Sequence, residues 1–431
     1  MSRYWLFAIC LSFVLISVPR FFWAKKRPQN GKRAWETYVK GSVPLGIFSS
    51  VCTICSTLIG ATSMIVVAQW VTSFGDSAAW YLIAPGIGLI LLGLAGVEAI
   101  RNCPGVLMPE YFSHRVVKFV FSLFIIVLYT LIMGAQITGF AKIATGFNIP
   151  YFWGLILCGS VITLYVGLGG FRSVVDTDIV QFILITMAVL ILFFFFGNPQ
   201  KIDYKTLINP FGGEMHWQTG CLFIAMGFMM FVAQENHQRI KAAKNAQIAK
   251  MSCVISGVIV ILFAILLASV GHSTVLDATD PIPLAMRHLN PICGLLVSMG
   301  LLAAALSTAD SALNIATSQM SIIVMPREKL NKIVIFCFQL LCLILAITIA
   351  HFFKSISKII LLCVNIYVGI ALPLVASVFL LRNERHRIVI LCATTLVFLT
   401  GLLFNFSTPA LPALGAGLCF IIIFRISKKC A

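Results

Sequence analysis

Charge is what this sequence has least of. Only 10% of its 431 residues are Asp, Glu, Lys or Arg, against the roughly 25% with which a soluble protein covers its surface. Acids are scarcest, 14 against 31 basic residues. A secreted enzyme, a cytosolic multidomain enzyme and a disordered protein are excluded together. The signatures of soluble catalysis are missing too. No phosphate-cradling glycine loop precedes a lysine, and no His/Glu pair has zinc spacing. Gly167-Leu168-Gly169-Gly170 has no strand or βαβ unit around it, so it is not a nucleotide fingerprint. The 14 cysteines form no disulfide framework, and Cys52 and Cys55 read as buried thiols within an apolar run. No linker or low-complexity stretch divides the chain.

What is present is apolar. Hydrophobic residues make up 60% of the chain, 34 of them Phe, and the mean hydropathy is +1.01. The pattern predicts an all-α polytopic membrane protein in a single domain over residues 1–431. With about 20 apolar residues per crossing, thirteen spans are expected. They are 4–24, 43–72, 77–100, 117–141, 150–169, 175–197, 218–236, 251–271, 292–325, 332–352, 357–381, 387–405 and 409–425. Segment 4–24 is long and has no obvious small-residue cleavage site, so it reads as a helix rather than a signal peptide.

The basic residues fall in the short connections between spans, which is a topology pattern rather than a nucleic-acid footprint. Alternate connections and the C-terminal tail hold 23 of them, and the opposite side holds seven. That bias predicts an N-terminus outside and a C-terminus inside.

Polar residues within the spans are few. The spans 43–74 and 292–325 are too long for one simple crossing. In the first, Ser56-Thr57-Leu58-Ile59-Gly60-Ala61-Thr62-Ser63-Met64 is a weak helix former. A helix broken at membrane depth frees carbonyls, and such a break persists only beside a cavity or an ion. In the second, Ala304, Ser307, Thr308 and Ser311 share one helical face. That face serves either close helix packing or oxygen coordination of a hard monovalent cation; the residues alone leave both open. Asp310 lies one residue off that face and is suited to a cation, a proton or a structural hydrogen bond. Asp178, close to Arg172, is expected to make an ion pair that pins its helix.

Four segments together carry a family resemblance. Tyr165-Val166-Gly167-Leu168-Gly169-Gly170-Phe171-Arg172-Ser173-Val174-Val175-Asp176-Thr177-Asp178-Ile179-Val180-Gln181 resembles the signature of the sodium:solute symporter family, whose members include proline, pantothenate, sialic acid and sodium/glucose cotransporters. Gly60-Ala61-Thr62-Ser63-Met64 resembles its broken first core helix. Gln238-Arg239-Ile240-Lys241-Ala242-Ala243-Lys244 resembles the run after its sixth core helix, and Ser307-Thr308-Ala309-Asp310-Ser311 that of its eighth. The resemblance implies a LeuT-type fold with two inverted five-helix repeats. These would be 43–197 and 218–381, preceded by an extra helix at 4–24 and followed by two C-terminal helices over 387–425.

The family's sodium ligands map onto the carbonyls of Ala61, Met64 and Ala304 and the hydroxyls of Ser307 and Thr308. Ser63 stands where proline carriers have Asp, and Val66 replaces a common glycine. The implied activity is Na+-coupled symport of a small organic solute by alternating access, in a multi-pass protein of the cell (plasma or inner) membrane. It is not an enzyme, Na+ is the coupling ion, and the lipid bilayer is the surrounding partner. No nucleic acid and no obligate protein partner are expected. Proton coupling through Asp310 and a membrane solute sensor are the alternatives, although the sequence to residue 431 carries no kinase or regulatory domain. Candidate substrate contacts are Gln69 and Trp70 beyond the break, with Phe228, Phe231 and Gln234 on the seventh span; each is equally an ordinary packing residue.

Overall fold

The computed structural model describes residues 31–41, 43–273, 288–324, 330–381, 383–404 and 408–427. The expected first helix, 4–24, lies outside the described residues. Every other expected span has a helix or helix pair in its place. After the short α1 (Gly31–Lys40) come α2 (Ile47–Leu58) and α3 (Ala61–Phe74), then the span α4 (Asp76–Asn102). Next are α5 (Arg115–Thr145), α6 (Tyr151–Gly169) and α7 (Phe171–Phe196). The second half starts with α8 (Trp217–Met229), α9 (Gln234–Ala242) and α10 (Ala246–Gly271). It continues with α11 (Pro291–Val324), α12 (Lys332–Phe353), α13 (Ile356–Ile366) and α14 (Leu372–Leu380). The last two are α15 (Glu384–Leu403) and α16 (Ala410–Ser427). Among the described residues, nine helices are long and apolar enough to cross a membrane, and the bent pair α2–α3 makes a tenth. Large apolar side chains such as Phe194 and Leu403 are exposed on the outer faces, where hydrocarbon is the expected neighbour.

The long first span is broken, as its composition predicts. α2 ends at Leu58, Ile59 leaves helical geometry, Gly60 is extended, and α3 departs at 53°. The other long span is not broken. α11 runs 34 residues without interruption, a length of about 51 Å, and it is accommodated by packing along α5 and α7 rather than by a kink. A second break, which hydropathy did not suggest, separates α8 from α9 at Met230–Ala233. Its loose carbonyls find side-chain donors. Asn236 Nδ2 donates to Met230 O at 3.0 Å and His237 Nε2 to Phe231 O at 2.7 Å. Tyr111 OH then donates to the bare Nδ1 of His237 at 2.9 Å. Each break therefore replaces the lost ladder bonds locally, as membrane depth requires.

Glycines let the helices meet backbone to backbone. A Cβ on Gly88 of α4 would lie 2.0 Å from the Gly227 carbonyl of α8, and one on Gly257 of α10 would lie 2.4 Å from that of Gly86. Small residues at such crossings take the place of the hydrophobic drive that lipid cannot supply. Between α6 and α7, Gly170 has φ +58 and sits against the backbone of Tyr38, where a side chain would clash. That contact accounts for the last glycine of the signature segment. Behind it, Gln339 donates to the Tyr38 hydroxyl at 2.9 Å, and burial pushes this phenol above its usual range.

Candidate functional site

The site grows from the first break. α2 stops with the carbonyls of Ser56 and Thr57 freed, and α11 presents two hydroxyls to them. Ser307 Oγ lies 2.7 Å from Ser56 O and 3.1 Å from Ala304 O. Thr308 Oγ1 lies 2.9 Å from Thr57 O and 3.3 Å from Ala304 O. Five oxygens thus converge with only two hydroxyl protons among them, and each hydroxyl can satisfy one carbonyl at a time. A surplus of lone pairs in a buried pocket is the donor set of a hard cation. Gly60 makes room for it: a Cβ there would lie 2.6 Å from Thr308 Oγ1 and 2.8 Å from Gln136 Nε2. The expected trio Ala304, Ser307 and Thr308 is brought together. Ala61 and Met64 are buried in the first turn of α3, just beyond the break, and Met64 N donates to Gly60 O.

Directly beside the oxygens lies a buried charge network. Arg239 of α9 donates through Nε to Thr53 Oγ1 at 2.9 Å and through Nη2 to Thr57 Oγ1 and to Ser311 Oγ, at 2.5 and 2.9 Å. Its Nη2 is 3.5 Å from Asp178 Oδ2, and Thr53 also donates to that oxygen. The expected pairing of Asp178 with Arg172 is therefore corrected. Arg172 instead reaches Asp176 at 3.1 Å, one turn along its own helix, because Asp178 points into the bundle. By residue order Arg239 belongs with the connection charges, yet its side chain is 1% exposed. Removing it leaves 22 basic residues against seven, so the bias keeps its direction. Asp310 is fully buried in α11.

Above the break a cavity of about 100 Å³ opens between α2, α3, α4, α5, α8, α9, α11 and α13. Its polar lining includes Thr62, Ser63, Tyr129, Gln136, Glu235 and Tyr367, with Thr57, Thr308 and Ser311 at the side of the oxygen cluster. None of the five expected substrate contacts lines it. Trp70 stacks on Phe223 at 5.8 Å and stands edge-on to Tyr81, which does line it. Gln69 is half-buried further along α3. Phe228 and Phe231 border a separate apolar crevice against α14. Gln234 clamps the segment after α4, accepting from Met108 N at 2.7 Å and donating to Val106 O at 3.3 Å. Sequence reasoning missed Glu235, Gln136, Tyr129 and Arg239. The available signal was the polar run Gln234-Glu235-Asn236-His237-Gln238 at the end of an apolar span, since ionisable groups at membrane depth are functional by default.

A helical bundle with a broken helix facing a long unbroken one is the architecture of LeuT-type transporters. Solved structures share it. A Na+-coupled sialic acid symporter, in a substrate-bound outward-open state, superposes with a TM-score of 0.76 over 100% of this chain and 98% of its own, at 17% identity. A nucleobase-cation-symport-1 family transporter, closed on bromovinylhydantoin, gives 0.52 over 93% and 94% at 16% identity. The chain belongs to the sodium:solute symporter family, whose model matches residues 38–385. Its curated relatives include sodium/proline symporter 2 of Staphylococcus saprophyticus and a sodium/proline symporter of Staphylococcus aureus. Each is 22% identical over 283 residues, 59% of this chain and 54% of the relative. The chain spans about half the length of these relatives.

Proposed function

We propose that this chain is a Na+-coupled symporter that imports a small organic solute across a cell membrane by alternating access. The observation that carries the reading is the five-oxygen cluster formed by Ser56, Thr57, Ala304, Ser307 and Thr308 at the first break; membership of the family supports it. We take the carbonyls that face the hydroxyls, Ser56 and Thr57, as ligands, with Ala61 and Met64 as the alternative pair indicated by the family motif. Na+ bound there supplies the charge that the surplus lone pairs lack, and it draws α2 and α3 against α11. The solute then occupies the adjoining cavity. Movement of α2 away from α7 and α11 must break the Arg239 network, so that network holds one end of the pathway shut. The membrane potential adds about 2.3 kcal/mol per charge per 100 mV, so a single Na+ drives appreciable accumulation.

In this reading residues 43–197 and 218–381 are the two inverted repeats, with the N-terminus outside and the C-terminus inside. Proteoliposomes carrying the full chain test it. Solute uptake follows an inward Na+ gradient and collapses in Ser307→Ala. Uptake driven by ΔpH in the absence of Na+ would overturn it in favour of proton coupling, and ligand binding without uptake would favour a sensor.

A further inference from the structure

We propose that Glu235 recognises a positively charged nitrogen on the solute, so that the transported class is an amine or ammonium compound with a small apolar body. The inference rests on the transporter reading above and deepens it. Glu235 stands in the first turn of α9, immediately after the second break, where the helix dipole favours a negative charge. Its side chain is half-buried, and the cavity is what it faces.

The carboxylate is held but not neutralised. Tyr129 OH donates to Oε2, and Tyr367 OH donates in turn to the Tyr129 oxygen at 2.6 Å. No other side chain among the described residues serves Oε1, and no cation lies within ion-pair distance. Arg239, one turn further on, is committed to Asp178 and touches only the backbone carbonyl of Glu235, at 3.3 Å. A carboxylate at membrane depth without a counter-charge is costly, and a ligand cation is the partner that repairs it.

The rest of the wall agrees in sign. Gln136 gives one of its two amide hydrogens to Thr62 at 2.7 Å, and its Oε1 has no donor although it is buried. Ser63 turns its proton to Leu58 O at 3.1 Å. Beside Glu235, then, the Gln136 oxygen is a second acceptor that a ligand N–H can serve. The apolar side joins aliphatic residues such as Leu82, Ile132 and Ile360 to Met226, Met229 and Met230, whose soft, polarisable side chains adapt to a small alkyl group. The tyrosine faces add cation–π attraction. A carboxylate would be repelled by Glu235, and a sugar would offer it hydrogen bonds but no counter-charge.

Thermal unfolding of the purified full chain in NaCl and in KCl tests this. The probes are choline and n-butylammonium, their uncharged isosteres 3,3-dimethyl-1-butanol and n-butanol, and lactate and glucose. The cations raise Tm in NaCl and the isosteres do not. Glu235→Gln weakens the cation effect about tenfold or more in apparent Kd, Glu235→Asp keeps part of it, and Tyr129→Phe keeps the preference for cation over isostere. Equal response to cation and isostere, response only to lactate or glucose, or no response to either cation overturns the proposal. The wild-type comparison stands even if Glu235→Gln fails to fold. A Na+-over-K+ shift without added solute reports on the transporter reading alone, so a chain that keeps this shift but shows no cation preference refutes only the role of Glu235.

Discussion

Arg239 and Asp178 meet at 3.5 Å with both side chains buried, 1% and 0% exposed, and through them α9 is tied to α7 beside the freed carbonyls of α2. The guanidinium fork is filled by Thr53, Thr57 and Ser311 as well, so one side chain joins four helices. Such a pair is weak evidence for stability but severe to break from one side, because the survivor is left as an uncompensated buried charge.

Arg239→Ala and Asp178→Ala should each destabilise the protein by about 3–5 kcal/mol, read as a lower Tm in detergent. The double variant should lose less than the sum of the two, since neither charge is then stranded. Additive losses would show that the two do not act as a pair.

Ser307→Ala and Thr308→Ala each delete one ligand oxygen while leaving a residue that helix packing tolerates. Each should weaken apparent Na+ affinity about tenfold or more, equivalent to about 1.4 kcal/mol, measured as the Na+ concentration that half-saturates the thermal shift. An unchanged midpoint in both variants would leave the hydroxyl face as packing alone.

Gly60→Ala places a methyl group 2.6 Å from Thr308 Oγ1 and 2.8 Å from Gln136 Nε2. It should impair Na+ binding and lower Tm together. Gly415→Ala is the control: no atom lies within 4 Å of its Cβ, and replacing a glycine inside α16 should be neutral or stabilising by about 0.4–1 kcal/mol.

The orientation of the chain can be read by labelling. Lys201 and Lys244 are both exposed and lie in connections assigned to opposite sides. In right-side-out vesicles, Lys201→Cys should gain labelling over the parent with a membrane-impermeant maleimide, whereas Lys244→Cys should gain it only after the vesicles are opened. The reverse pattern would invert the topology.

Much of the architecture was legible because lipid imposes one-dimensional rules. A span must be about 20 apolar residues long, and a weak helix former in mid-membrane must have a reason to be there. Hence the helical segments from residue 43 onward, ten of them long and apolar enough to cross with the bent pair counted as one, and the break at Gly60, could be read from residue order. The hydroxyl face of α11 was visible for the same reason, since a helical period places Ala304, Ser307 and Thr308 together without knowledge of their neighbours.

Partnership across the bundle was not legible. Arg239 looked like a topogenic charge, and only the fold carries it inward to Asp178, 61 positions earlier in the chain. Glu235 looked like the end of an apolar segment, and only the turn at Met230–Ala233 brings it beside Tyr129 of α5 and Tyr367 beyond α13. The substrate contacts chosen from sequence fell outside the cavity because a helical face can be counted from residue order, but what that face meets cannot. Local sequence thus determined the membrane class, the helical segments of the described residues and the weak point of the first core helix. Tertiary structure decided which oxygens face one another and which carboxylate, among the described residues, faces the cavity without an ion-pair partner, because both depend on how separate helices cross.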